Sequence, residues 1–140
     1  MFIDTNVLVY SRIPHSPFHD MARESLKRAL QDQEPLSISR QVMREYLADI
    51  TRPQAWHGVI ELDDALSDVE RLARSFRVLE DGPLVTESLI ALCREVPVGG
   101  RQIHDANIVA TMLVHGERML LTFDRDDFLR YESRIHLVEY

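Results

Sequence analysis

Met1-Phe2-Ile3-Asp4-Thr5-Asn6-Val7-Leu8-Val9-Tyr10 sets a short apolar run directly against an acid and then turns apolar again. Met1 to Ile3 reads as a very short buried strand, and an acid held just outside that run marks its end as the edge of a site. Val7 to Tyr10 reads as a helical turn or two, broken by Pro14 and Pro17. A strand feeding straight into a helix opens an α/β unit, and parallel sheets gather their ligands at the carboxyl ends of their strands.

Working outward, the pattern repeats. From about Phe18 to Gln31, apolar Met21, Ala22, Leu26, Ala29 and Leu30 recur at helical spacing. Pro35 precedes a second strand, Leu36-Ser37-Ile38, and Ser39 is placed to cap a helix carrying Val42, Met43, Tyr46, Leu47 and Ile50. That helix stops before Pro53. Pro53 to Leu62 reads as an exposed loop bearing Trp56 and His57. Asp63 or Asp64 then opens a helix to about Ser75, with Ala65, Leu66, Val69, Leu72 and Ala73 facing inward. Arg77-Val78-Leu79 is a third strand, and Pro83 starts a helix that runs to Val96. After the Pro97 to Gly100 loop, a helix spans Ile103 to His115 and Gly116 stops it. Met119 to Thr122 is a fourth strand, Asp126 to Tyr131 a short helix, and Ile135 to Val138 a fifth strand. Short apolar strands alternating with helices predict an α/β fold, a three-layer α/β/α sandwich around a mostly parallel sheet of about five strands. No repeat or linker divides the 140 residues, which are expected to form one domain.

Composition is that of an ordinary soluble domain, 45% hydrophobic and 28% charged. No apolar run approaches the ~20 residues that span a bilayer, so no membrane partner is expected. The start lacks the basic end and apolar centre of a signal peptide, which points to the cytoplasm. Cys93 is the single cysteine and cannot form an internal disulfide; its setting reads as a helix packing face. A net charge of −7 argues against a passive nucleic-acid-binding module. It argues less against a metal-dependent nuclease, because four of those charges would face a cation.

The four are Asp4, Glu45, Asp105 and Asp124, each where an apolar run meets a turn or a helix. Gathered at one sheet edge they would repel one another, and a hard divalent cation relieves that repulsion. Each also has a plain structural reading. Asp4 would cap the next helix, Glu45 would be solvated beside Arg44, Asp105 would favour a helix N-terminus, and Asp124 would belong to a polar loop. All four readings must hold together to remove the site.

Asp4-Thr5-Asn6, Ile103-His104-Asp105-Ala106 and Thr122-Phe123-Asp124-Arg125-Asp126-Asp127-Phe128, in the order strand-Asp, helix-Glu, helix-start Asp, strand-Asp, resemble the PIN-domain ribonucleases. The resemblance covers essentially the whole chain, and the length suits the toxin members of VapBC-type toxin–antitoxin pairs. It implies an endoribonuclease that uses Mg²⁺ or Mn²⁺, held by Asp4, Glu45, Asp105 and Asp124 as metal-ligating and catalytic acids. Asn6 and Thr122 would orient those carboxylates. Asp127 would cap the last short helix or stand in the outer shell. RNA as substrate, a cognate antitoxin and a homodimer are implied by the resemblance alone. A divalent cation suits the chemistry, since it screens the phosphate and activates a bound water. No His/Cys cluster suggests zinc, and no triad serves Ser11, Ser16, Ser39 or Cys93.

Arg40, Arg44, Arg101 and Arg125 lie near these acids in sequence and would contact RNA phosphates or pair with acidic neighbours. Trp56 and His57 would stack on bases or make an ordinary surface contact. His104 points away from its neighbour Asp105 and has a structural or rim role. Two other functions remain open: a PIN nuclease of RNA processing without an antitoxin, and a silent PIN-like module that only binds RNA or protein.

Overall fold

The computed structural model describes residues 1–31, 35–53 and 59–139. Trp56 and His57 lie outside the described residues. Five strands form one sheet: β1 (Phe2–Ile3), β2 (Ser37–Ser39), β3 (Arg77–Leu79), β4 (Met119–Leu121) and β5 (His136–Leu137). Their order is β3-β2-β1-β4-β5 and every pairing is parallel, where a mostly parallel sheet was expected. Phe2, Ile3, Ile38, Leu120 and Leu121 are buried, as strands covered on both faces require.

The helices are α1 (Thr5–Arg12), α2 (His19–Gln31), α3 (Arg40–Ile50), α4 (Leu62–Ser75), α5 (Pro83–Glu95), α6 (Gln102–Val114) and a last turn, α7 (Arg125–Phe128). They pack as α1 with α2 and α3, α3 with α4, and α5 with α6, two helical groups flanking the sheet in three layers. The chain moves outward from β1 through β2 to β3, then crosses back past β1 to β4. That reversal opens a crevice between the carboxyl ends of β1 and β4, and it is there that the candidate site lies.

Local chemistry accounts for most boundaries. Ser39 Oγ accepts the Val42 N–H at 3.2 Å, a cap contributing about 1 kcal/mol to α3. Pro83 opens α5, where its missing N–H costs nothing. Gly116 ends α6 at φ 76°, a conformation an L side chain rarely adopts.

Two helix faces differ from expectation. In α2, Met21 and Leu30 are exposed, while Ala22, Ser25 and Ala29 are buried. In α4, Leu66 and Ala73 are exposed and the buried residues are Ala65 and Asp68. Ala65, Val69 and Leu72 face the core as expected, and the inward position that apolar periodicity misses is held by an acid. Asp68 accepts from Arg12 Nε at 2.8 Å, from Tyr46 Oη at 2.9 Å and from Arg71. Its carboxylate ties α4 to α1 and α3.

Candidate active site

Backbone pairing places the first acid. The Asp4 N–H donates to Leu121 O at 3.0 Å, extending the β1–β4 ladder by one bond, and the chain then turns into α1. Asp4 Oδ1 accepts the Thr5 N–H at 2.7 Å, so the capping role is real. Its other oxygen has a second task. Oδ2 accepts from Thr122 Oγ1 at 2.6 Å and from Asn6 Nδ2 at 2.9 Å. Asn6 Nδ2 also donates to Asp124 Oδ2 at 3.0 Å, and Asn6 Oδ1 accepts the Phe123 N–H at 3.1 Å. One asparagine thus joins the acids that follow β1 and β4, the orienting role expected of Asn6 and Thr122.

Glu45 reaches the same place from α3. Its Oε2 accepts from Thr5 Oγ1 at 2.8 Å and its Oε1 from Gln41 Nε2 at 2.7 Å. Gln41 is buried and also donates to the His104 carbonyl at 2.9 Å, while Asn107 Nδ2 donates to Gln41 Oε1 at 2.7 Å. The glutamine therefore joins α3 to the first turn of α6, where Asp105 sits. Asp4, Glu45, Asp105, Asp124 and Asp127 all line one cleft of about 650 Å³, together with Asp49, Arg101 and His104. The four acids expected to converge do so.

The electrostatics are those of crowded acids. Asp4 is 6% exposed. Burial pushes its carboxyl up to about 7, the Thr122 and Thr5 hydrogen bonds working against that rise and the charges of Glu45 and Asp124 adding to it. Asp105 is pushed up to about 6 by burial, then by Asp127 and Glu45, with the charge of Arg130 acting against the rise. Among the described residues, none of the four acids forms an ion pair with Lys, Arg or His.

Asp127 does not cap α7: the helix begins at Arg125, and Asp127 lies inside its first turn, facing the cleft. The four arginines divide. Arg101 lines the cleft. Arg40 is held by Glu80 at 2.7 Å, Arg44 lies 3.6 Å from Asp81, and Arg125 binds Glu139 at 2.9 Å and the Val138 carbonyl at 3.2 Å. Of these four, Arg101 is the one that lines the main cleft, while Arg125 shares a neighbouring hollow with Asp124 and Arg44 one with Glu45. His104 stands exposed at the rim, as expected. Gln41, Thr5, Asn107 and Asp49 were not singled out from sequence. Gln41 had a signal, since it lies four residues before Glu45 and so on the same helix face.

Among the described residues, no three His, Cys, Asp or Glu side chains are placed so as to hold a metal ion between them. The acids line an open cleft, with room for water between them. An all-oxygen set of this kind suits Mg²⁺ or Mn²⁺, which keeps several waters and takes only a few carboxylates.

A family model, that of the PIN domain, matches residues 1–133. The chain belongs to the PIN domain family. Ribonuclease VapC48 of Mycobacterium tuberculosis is 29% identical over 134 residues, which span 93% of this chain and 90% of that protein. Among solved structures, a chain of a toxin–antitoxin complex from Klebsiella pneumoniae superposes with a TM-score of 0.65 at 20% identity, covering 99% of this PIN domain chain and 95% of that one. Mycobacterium tuberculosis VapC20, a sarcin–ricin loop cleaving toxin, gives 0.64 at 22% identity, over 90% and 91% of the two chains. At these identities the structural likeness speaks for the fold. The family expected from the acidic residues is borne out, and no helix among the described residues is long and apolar enough to cross a membrane.

Proposed function

We propose that this PIN domain is a metal-dependent endoribonuclease and the toxin of a toxin–antitoxin pair. One observation carries the reading. Acids from two strand ends and two helices meet in one cleft, one of them buried, with neutral donors on Asp4, Glu45 and Asp124 and, among the described residues, no cationic side chain in an ion pair with any of the four. Such a group either takes up protons or draws a counter-charge from solvent.

Asp4, Glu45, Asp105 and Asp124 would hold Mg²⁺ or Mn²⁺. The ion, when bound, supplies charge for the phosphodiester oxygens and lowers the pKa of a bound water. The chain's own part is positional. Asn6 and Thr122 fix the Asp4 and Asp124 oxygens; Thr5 and Gln41 fix both oxygens of Glu45. Asp105 and Asp127 set the remaining wall, and Arg101 offers one cation at the mouth for an RNA phosphate.

The toxin role is supported by the likeness to Ribonuclease VapC48 and to a chain of a toxin–antitoxin complex. An antitoxin and a second copy of this chain have apolar surface to use, including exposed Met21 and Leu30 on α2, Leu62 and Leu66 on α4, and Leu84 and Ile90 on α5. The test is cleavage of RNA by the purified protein, mapped with Mg²⁺ or Mn²⁺ and with chelator. Internal cuts that need the metal are expected. Unchanged RNA under both conditions overturns the reading.

A further inference from the structure

Three aromatic rings stand beside the acids. Tyr10 lies on α1 one turn beyond Asn6, Phe18 precedes α2, and Phe123 lies between Thr122 and Asp124. Ring centroids are 5.1 Å apart for Tyr10 and Phe18, 5.9 Å for Tyr10 and Phe123, and 6.1 Å for Phe18 and Phe123, whose planes are within 19° of parallel. The patch is fixed to the site, because the Asn6 that donates to Asp4 and Asp124 also accepts the Phe123 N–H. Phe123 lines a hollow of about 450 Å³ with Asp124 and Arg125, and Phe18 is 40% exposed.

Paired arginines leave few side-chain charges beside this cleft for a nucleic acid. The cleft is acidic, and Arg40, Arg44 and Arg125 are engaged by Glu80, Asp81 and Glu139. Beyond Arg101 and a cation held by the acids, a strand entering this cleft gains further affinity where its base faces meet apolar rings. Aromatic side chains bind bases of any sequence, provided the base is unpaired and its face is free.

We propose that Tyr10, Phe18 and Phe123 form a stacking site for an unpaired base of the RNA strand whose phosphodiester occupies the acid cleft. Phe18 is the outer ring that meets the base. This rests on the endoribonuclease reading and adds to it a positioning element of this chain, an aromatic ring that holds one base next to the cut. Paired RNA hides its base faces and is disfavoured by the same site.

The test uses Phe18→Ala, Phe18→Leu and Phe18→Trp with short single-stranded RNAs carrying 2-aminopurine or an abasic nucleotide at successive positions. Phe18→Ala is expected to raise KM about tenfold with kcat within about threefold of wild type. Phe18→Leu, which keeps apolar packing without a ring, stays impaired, and Phe18→Trp recovers. An abasic nucleotide at one position costs the wild type the same factor and adds nothing to the loss in Phe18→Ala. Recovery by leucine, or a KM in Phe18→Ala equal to wild type, overturns the stacking site. So does a loss confined to inhibition by a partner protein, which assigns the rings to a protein interface. The 2-aminopurine signal is read in chelator as well, without turnover. A signal that Phe18→Ala abolishes upholds stacking even if no RNA is cut, an outcome that counts against the ribonuclease reading alone. No signal in the wild type overturns stacking whatever the cleavage result.

Discussion

Asp4 and Asp68 are both buried aspartates, 6% and 4% exposed, and both accept three hydrogen bonds. Their donors separate them. Asp68 takes two of its bonds from guanidinium groups, Arg12 and Arg71, and one from Tyr46, and the charge is answered within the protein. Burial and the Asp68 charge together raise the Tyr46 hydroxyl pKa, so that phenol stays a donor. Asp4 takes its bonds from a backbone amide, a hydroxyl and a carboxamide, and its charged neighbours are further acids. A buried carboxylate with resident cations is a structural tie between helices. One with neutral donors and acidic company is held ready for a cation from outside.

The sharpest way to break this contrast is to neutralise each aspartate. Asp4→Asn is expected to lower RNA cleavage by at least about a thousandfold, ~4 kcal/mol of transition-state stabilisation. In metal-free buffer it melts no lower than wild type, since removing one charge relieves repulsion. Equal cleavage by variant and wild type would refute the assignment, and a large fall in melting temperature would make Asp4 chiefly a helix cap. Asp68→Ala should show the opposite profile. Loss of one partner of a fully buried pair costs about 3–5 kcal/mol. Arg12 and Arg71 are 39% and 62% exposed at the side chain and can turn to water, so about 2 kcal/mol is expected here, or roughly 6–8 °C in Tm. Cleavage by the folded fraction stays within about threefold. An unchanged Tm would show that the network contributes nothing to stability.

A smaller effect sharpens the comparison within the site. Gln41→Leu keeps the volume but removes the donor to Glu45 and the link to His104. Cleavage should fall about tenfold, the lower range for a partner that orients a metal ligand, with the larger change in metal dependence. If Gln41→Leu alters stability alone, the residue is a helix-to-helix tie like Asp68.

Much of this was legible in the sequence, for identifiable reasons. β3 was placed at its observed residues because Arg77-Val78-Leu79 is bounded by a helix end and an Asp-Gly-Pro turn. Asp4 and Asp124 were legible because each follows a strand end and Asp105 because it lies in the first turn of a helix, where local pattern and site coincide; Glu45 sits mid-way along α3, and only the order of the four acids marks it. What escaped depends on contacts distant in sequence. Asp68 reads as one more acid on an exposed helix until Arg12, 56 residues away, is seen to meet it. Gln41 shares a helix face with Glu45, but its link to α6 shows only once Asn107 and His104 are seen to meet it. The three rings are scattered across Tyr10, Phe18 and Phe123, and no period joins them.

The central claim, that the acid cleft takes its counter-charge from a divalent cation, is tested most directly by calorimetric melting across a Mn²⁺ series at about pH 5 and about pH 8, for wild type and Asp4→Asn. Folding raises Asp4 from 3.8 to about 7 and Asp105 from 3.8 to about 6, so the metal-free fold holds more protons than the unfolded chain. The stability these protons confer is complete below about pH 4 and is lost as pH rises through 6 and then 7. Metal binding opposes that loss, because it needs the same carboxylates deprotonated. At pH 8 the wild-type Tm should rise with the logarithm of Mn²⁺, by about 2.7 kcal/mol at a hundredfold excess over Kd, on the order of 8–10 °C. The gain should shrink at pH 5 and largely vanish in Asp4→Asn. A wild-type Tm that stays flat through millimolar Mn²⁺ at pH 8, as flat as that of the variant, contradicts the claim.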